Sequence, residues 1–180
     1  SMSAVASSRK RYDPAPEAYR EYLKGRHYWN KFTAEGREKA REHFEQAIDL
    51  DPAYALAYAG LADTYTMMGF YGERPEETFP KGRAAARRAI EVDPTLGEAY
   101  TSLGTALCLY DWNWTEAEKA LRRGVELNPR YATAHQNLGV FLGFVGKLDE
   151  AVRELETALA LDPLSTVIRI DHGWVLYLQG

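Results

Sequence analysis

A single cysteine, Cys108, stands in the 180 residues. The chain therefore cannot close a disulfide within itself or supply the several thiolates of a cysteine-based zinc site. Histidine is scarce as well. His27, His43, His135 and His172 are scattered, and none stands at metal-ligand spacing from another histidine or from Cys108. Nor is there a basic surplus: 22 Lys and Arg face 26 Asp and Glu, a net charge of −4 with a pI near 5.6. Nucleic-acid binding by this segment would need the opposite, positive charge gathered on one face. No apolar run approaches the roughly 18–20 residues of a membrane span. No basic stretch followed by an apolar one opens the chain in the manner of a signal peptide. Ser1 ahead of Met2 has the form of a residue left by tag cleavage, so residues 1–15 read as tag remnant and flexible N-terminal segment. With 46% hydrophobic residues and 12% aromatics, the composition is that of a globular chain, expected to be cytoplasmic and to carry neither metal nor cofactor.

What the chain does have is repetition. Ala47-Ile48-Asp49-Leu50-Asp51-Pro52, Ala89-Ile90-Glu91-Val92-Asp93-Pro94, Gly124-Val125-Glu126-Leu127-Asn128-Pro129 and Ala158-Leu159-Ala160-Leu161-Asp162-Pro163 align, with their prolines 42, 35 and 34 residues apart. Each is a helix ending, because proline cannot continue a helix and turns the preceding residue away from the helical region. Seven residues ahead of each small residue stands another, Ala40, Gly82, Ala117 or Ala151, and two small sites on one face let a second helix approach closely. Between the prolines the apolar residues recur at three- and four-residue spacing. The clearest case runs from Ala132 through Leu138-Gly139 and Leu142, turns at Gly146-Lys147-Leu148-Asp149, and continues through Ala151, Leu155, Ala158 and Leu159.

Helix, tight turn, helix and Asp-Pro in units near 34 residues resemble the tetratricopeptide repeat, with its Leu-Gly pair in the first helix and its Ala, aromatic or Leu, Ala and Pro in the second. The resemblance implies an all-α fold, a right-handed α-α superhelix of helix hairpins with at least nine helices and no strand. Four units are expected at about 16–54, 55–96, 97–131 and 132–165, followed at 166–180 by the first helix of a fifth, truncated unit. The third unit holds one extra residue at Asp111-Trp112-Asn113-Trp114, and the second about eight around Gly72 to Pro80. The stretches Tyr22 to Lys31, Phe44 to Pro52 and Tyr58 to Tyr65 are further similar to repeat regions of bacterial signalling proteins that carry a winged-helix domain, a nucleotide cyclase or a kinase elsewhere. That likeness implies a protein-binding part of a longer regulatory chain.

Catalytic constellations are poor. Asp149-Glu150 and Glu76-Glu77 are carboxylate pairs, but each lies at a helix start, where acids complement the helix dipole. Gly139 and Gly143 sit four apart inside one helical stretch with no strand ahead of them, which is no phosphate loop. His135 falls in an aromatic packing slot. A non-catalytic module is expected.

In such a superhelix the first helices line a concave channel, and that groove is the expected site for a peptide or protein ligand. By register it receives Tyr22, Arg26, Trp29 and Asn30 from the first unit and Asp63, Thr66 and Met67 from the second. Thr101 and Thr105 come from the third, Gln136, Val140 and Phe144 from the fourth, and Trp174 and Tyr177 from the last helix. Aromatic residues and Arg dominate binding energy at interfaces. The Lys and Asn set with which some members of the family clamp a C-terminal carboxylate is absent, so chaperone tails are not the expected ligand. A second surface, Arg83, Arg87, Arg88, Arg122 and Arg123 on successive second helices, would stack as an outer basic stripe facing an acidic partner; the acids Glu91, Glu118 and Glu126 interspersed among them favour an ordinary solvated face instead. The alternative to peptide docking is a structural role, with self-association through the apolar helix from Val167 to Leu178.

Overall fold

The computed structural model describes residues 12–180, so most of the expected tag remnant and flexible segment lies outside the described residues. Among these there are nine α-helices and no strand. They pair as α1 (Pro16–Trp29) with α2 (Ala34–Leu50), α3 (Ala55–Phe70) with α4 (Pro75–Val92), α5 (Gly97–Ala106) with α6 (Trp114–Leu127), and α7 (Ala132–Phe144) with α8 (Leu148–Leu161); α9 (Thr166–Gln179) follows. The first helices of successive pairs touch one another, while the second helices do so at most slightly. The stack therefore curves with α1, α3, α5, α7 and α9 on its inner side.

Local chemistry starts and stops these helices as the sequence implies. Thr33, Asn113 and Ser165 each place a side-chain oxygen on a free amide of the first turn, at Gly36, Glu116 and Ile168. The acidic pairs Glu76-Glu77 and Asp149-Glu150 do lie in first turns, those of α4 and α8. Pro75 opens α4, where a missing amide hydrogen costs nothing, and Asp51 and Asp93 end α2 and α4 by turning back to accept from the amides of Ala53 and Thr95.

The small residues of the second helices are all buried: Ala40 and Ala47, Gly82 and Ala89, Ala117 and Gly124, Ala151 and Ala158. In three of the four units, a knob aimed at the first helix comes four residues after the first of each pair. Phe44 lies against Gly25, Leu121 against Gly104 and Leu155 against Gly139, so close that a Cβ on any of these glycines would stand 2.6–2.7 Å from the knob. Where the second helix has glycine in a small slot, the first helix answers with threonine. Thr66 fills the gap over Gly82 and Thr101 the gap over Gly124.

The insertions are absorbed into helix. In the second unit α3 and α4 have 16 and 18 residues, against 13 and 14 for α7 and α8. In the third unit the extra residue becomes a π-helical turn, Leu107–Asp111, ending on Trp112 in the left-handed region with φ 53°. A π turn is the usual way for a helix to take in one residue without losing its packed face. The core contacts on either side survive: Leu107 and Cys108 remain buried with Leu121, Leu138 and Phe141.

Candidate functional site

The inner faces of these helices enclose a cavity of about 610 Å³. Seven of the residues expected in the groove line it: Trp29 at the end of α1, Met67 in α3, Thr105 in α5, Gln136, Val140 and Phe144 in α7, and Trp174 in α9. Its walls are aromatic at both ends. Trp29 leans on the packed layer around Phe44, and Phe144 and Trp174 meet with ring centroids 5.1 Å apart. Trp174 is held there because Gly143 leaves room for it, its indole lying 2.9 Å from where a Cβ would stand.

The polar groups on the floor are tied to one another. The Asn137 side-chain amide donates to Thr105 Oγ1 at 2.9 Å, and Gln136 Nε2 donates to Asp171 Oδ2 at 2.6 Å. Burial raises the Asp171 carboxyl above its ordinary range, against the hydrogen bond from Gln136. Cys108 is also part of this floor, only 8% exposed, and burial pushes its thiol up to about 11. A thiol so placed is not a nucleophile near neutral pH.

Other cavity residues escaped the register argument because they come from turns and from a second helix. Phe32 (φ 52°) ends the α1–α2 connection, and Phe70 and Tyr71 close α3 at the insertion. Arg37, in the first turn of α2, crosses to this same turn. Its Nε donates to Glu73 Oε1 at 2.8 Å, and its guanidinium carbon lies 4.4 Å from the centroid of the Tyr71 ring. Aromatics flanking Gly72 and the Thr33 cap are the sequence signal that could have placed them, once the turns are known to fold over the groove.

Seven expected groove residues lie elsewhere. Thr66 and Thr101, 1% and 2% exposed, are packing residues inside their own hairpins, opposite Gly82 and Gly124. Tyr22 packs tilted on the core, its ring centroid 5.8 Å from that of Phe44 and 5.1 Å from that of Tyr54, and borders a second hollow of about 920 Å³ along the inter-repeat turns. Asn30 is the exposed C-cap of α1, and Tyr177 stands 83% exposed and away from the cavity. Arg26 and Asp63 form a separate polar group on α1 and α3. Burial pushes the half-buried Asp63 carboxyl up to about 6, opposed by a 2.6 Å hydrogen bond from Ser102 Oγ and by the charge of Arg26, while Glu98 adds to the rise.

The outer stripe is not a free basic surface. Arg83 pairs with Asp111, Arg88 with Glu91 at 2.9 Å and Arg123 with Glu126 at 3.0 Å. Arg122 bridges Glu118 at 2.8 Å and Glu150 at 2.7 Å. Only Arg87 of the five makes no ion pair among the described residues. Helical i,i+3 and i,i+4 spacing supplies most of these acids, so the positive charge is locally cancelled.

Residues 30–69 match a family model described as TPR repeat, and residues 132–163 one described as tetratricopeptide repeat. The two matches cover α2 with most of α3, and the α7–α8 pair. Among curated proteins it is similar to the transcriptional regulator HilA of Salmonella paratyphi A, 25% identical over 159 residues, which is 87% of this chain and 28% of that protein. The chain thus spans little more than a quarter of that relative. Among solved structures it is similar to a thermophilic TPR protein of Thermus thermophilus, with a TM-score of 0.74, 21% identity, and coverage of 91% of this chain and 83% of that one. The first TPR of Spaghetti bound to the HSP90 peptide SRMEEVD superposes with a TM-score of 0.59 at 19% identity, over 74% of this chain and 99% of that one. The fold is an all-α TPR superhelix.

Proposed function

We propose that this chain is a non-catalytic protein-interaction module that holds a peptide segment in the concave cavity between Trp29 and Trp174. The observation that carries the reading is the convergence of residues from all five inner helices or their ends on one aromatic-walled hollow. Pockets of this size lined by apolar groups with a few fixed polar ones are where ligands bind. The similarity to a transcriptional regulator more than three times its length supports a place within a larger bacterial regulatory protein, in the cytoplasm. No helix among the described residues is long and apolar enough to cross a membrane. A peptide-bound TPR of the same fold supports the mode of binding but not the ligand, since the Lys and Asn clamp is absent here.

The test is calorimetry with a 12-residue peptide selected on this protein from a random display library. Val140→Glu places a charge in the cavity wall, and Phe144→Ala removes half of an exposed aromatic pair; both should weaken binding at least about tenfold. Arg87→Glu on the outer face should leave it unchanged. Loss of binding with Arg87→Glu and none with Val140→Glu would transfer the function to the outer helices.

A second reading rests on α9. Val167, Ile170, Leu176, Tyr177 and Leu178 are 43–83% exposed, a concentration of uncovered apolar side chains on one helix that marks association surfaces. We expect concentration-dependent self-association, read by sedimentation at several concentrations. Ile170→Glu and Tyr177→Glu should abolish it. A parent that stays monomeric at hundreds of micromolar would remove the reading.

A further inference from the structure

The cavity carries one charge that no cation among the described residues answers. Only two charged residues line it, Arg37 and Asp171. Arg37 is already matched by Glu73, at 2.8 Å from its Nε, and covered by the Tyr71 ring. Asp171 has no such partner. Its hydrogen-bonded neighbour is the neutral amide of Gln136. The nearest arginine along α9, Arg169, is turned away and donates to the Pro163 carbonyl. Half-buried beside Trp174, Val140 and Val167, the carboxylate sits on an apolar wall, held in orientation by Gln136. A charge in such a place is costly unless it is paired.

We infer that the ligand of this groove is a peptide segment bearing Lys or Arg next to a large apolar residue, the cation seated on Asp171 beside the Phe144–Trp174 pair and the apolar side chain filling the hollow toward Trp29. Charge complementarity chooses the sign, and the flanking rings favour the same occupant, since aromatic faces attract ammonium and guanidinium groups. Burial already raises the Asp171 carboxyl; an incoming cation would relieve that cost, which an acidic or neutral segment could not. The inference rests on the groove reading above and adds the ligand's chemistry to it.

The experiment is selection from a random 12-residue phage library on the immobilised protein, run in parallel on parent, Asp171→Asn and Val140→Glu. Circular dichroism melts confirm that all three are folded. The expected result is enrichment on the parent of peptides with a basic residue beside Leu, Phe or Trp. That preference should vanish on Asp171→Asn, and all enrichment should vanish on Val140→Glu. A synthetic peptide of the leading sequence should bind Asp171→Asn about tenfold more weakly than the parent, as for a lost charge-assisted hydrogen bond. Replacing its basic residue by Gln should cost as much on the parent and nothing on Asp171→Asn. Enriched peptides that require an intact cavity but show no basic preference, or that bind Asp171→Asn equally, would overturn this inference and leave the groove standing. No enrichment on the parent, or enrichment indifferent to Val140→Glu, would overturn both.

Discussion

Phe44→Ala should cost about 3–5 kcal/mol in urea denaturation, as truncation of a fully enclosed aromatic does. The ring is 1% exposed and is the piece that joins three helices. From α2 it reaches between Gly25 of α1 and Gly60 of α3, where added Cβ atoms would come to 2.7 and 2.6 Å of it. Neither glycine can move into the space that truncation would leave, so a cavity remains. The same geometry makes a second result necessary. Gly60→Ala alone should destabilise by about 1–3 kcal/mol through overpacking, yet be close to neutral in the Phe44→Ala background, where its methyl enters the void. Additive losses in that double-mutant cycle would show that ring and glycine do not meet.

Asp63→Asn should stabilise the protein at pH 7.5 by about 1–3 kcal/mol, an effect that fades toward pH 4. The native carboxyl, pushed up to about 6 by burial, binds its proton more tightly than the unfolded chain, whose carboxyl titrates near 3.9. Across that window the native state holds more protons. Stability from this group is therefore complete below about pH 4 and is lost as pH rises through about 6. The two-unit gap corresponds to about 3 kcal/mol, reduced by partial access of solvent to a half-buried group. Carboxylates held low by cationic neighbours, such as Glu38 beside Arg41 and Glu118 beside Lys147, drive the opposite slope, but they are common to both proteins and cancel in the difference. Urea titrations of the two proteins at pH 4, 5, 6 and 7.5 measure it. A difference that does not change with pH would mean that Asp63 is an ordinary carboxylate.

The helices, their order and their small-residue contacts were legible in the sequence because the Asp-Pro or Asn-Pro endings and the spacing of seven between small residues are local and repeat four times. Tertiary context can shift such a pattern little. The groove was half legible. The register puts Trp29, Met67, Thr105, Gln136, Val140, Phe144 and Trp174 on the cavity wall, since on an inner helix the residues that do not pack on the partner helix point inward. It misassigns Thr66 and Thr101 because it treats all hairpins as equal. Where Gly82 and Gly124 replace Ala, the neighbouring threonine is drawn into the gap and out of the channel. It misses Phe32 and Tyr71 because turns have no period, Phe70 because it ends α3 at the insertion, and Arg37 because it comes from a second helix. Their placement depends on the longer α3 and α4 and on the Arg37–Glu73 contact, neither of which a repeat register contains. On the outer face, Glu91, Glu118 and Glu126 were legible among the arginines because they stand three or four residues away; Asp111 and Glu150, 28 residues on in the next unit, were not.

Amide and indole chemical-shift mapping by NMR tests the central claim most directly, with a display-selected 12-residue peptide titrated into the isotope-labelled chain. The account predicts that the indole signals of Trp29 and Trp174 and the amides around Val140, Phe144 and Asp171 shift together and saturate with a single dissociation constant. Those around Arg87, Arg122 and Arg123 should stay in place. Saturable shifts confined to α4 and α6, with both indoles unmoved, would contradict it.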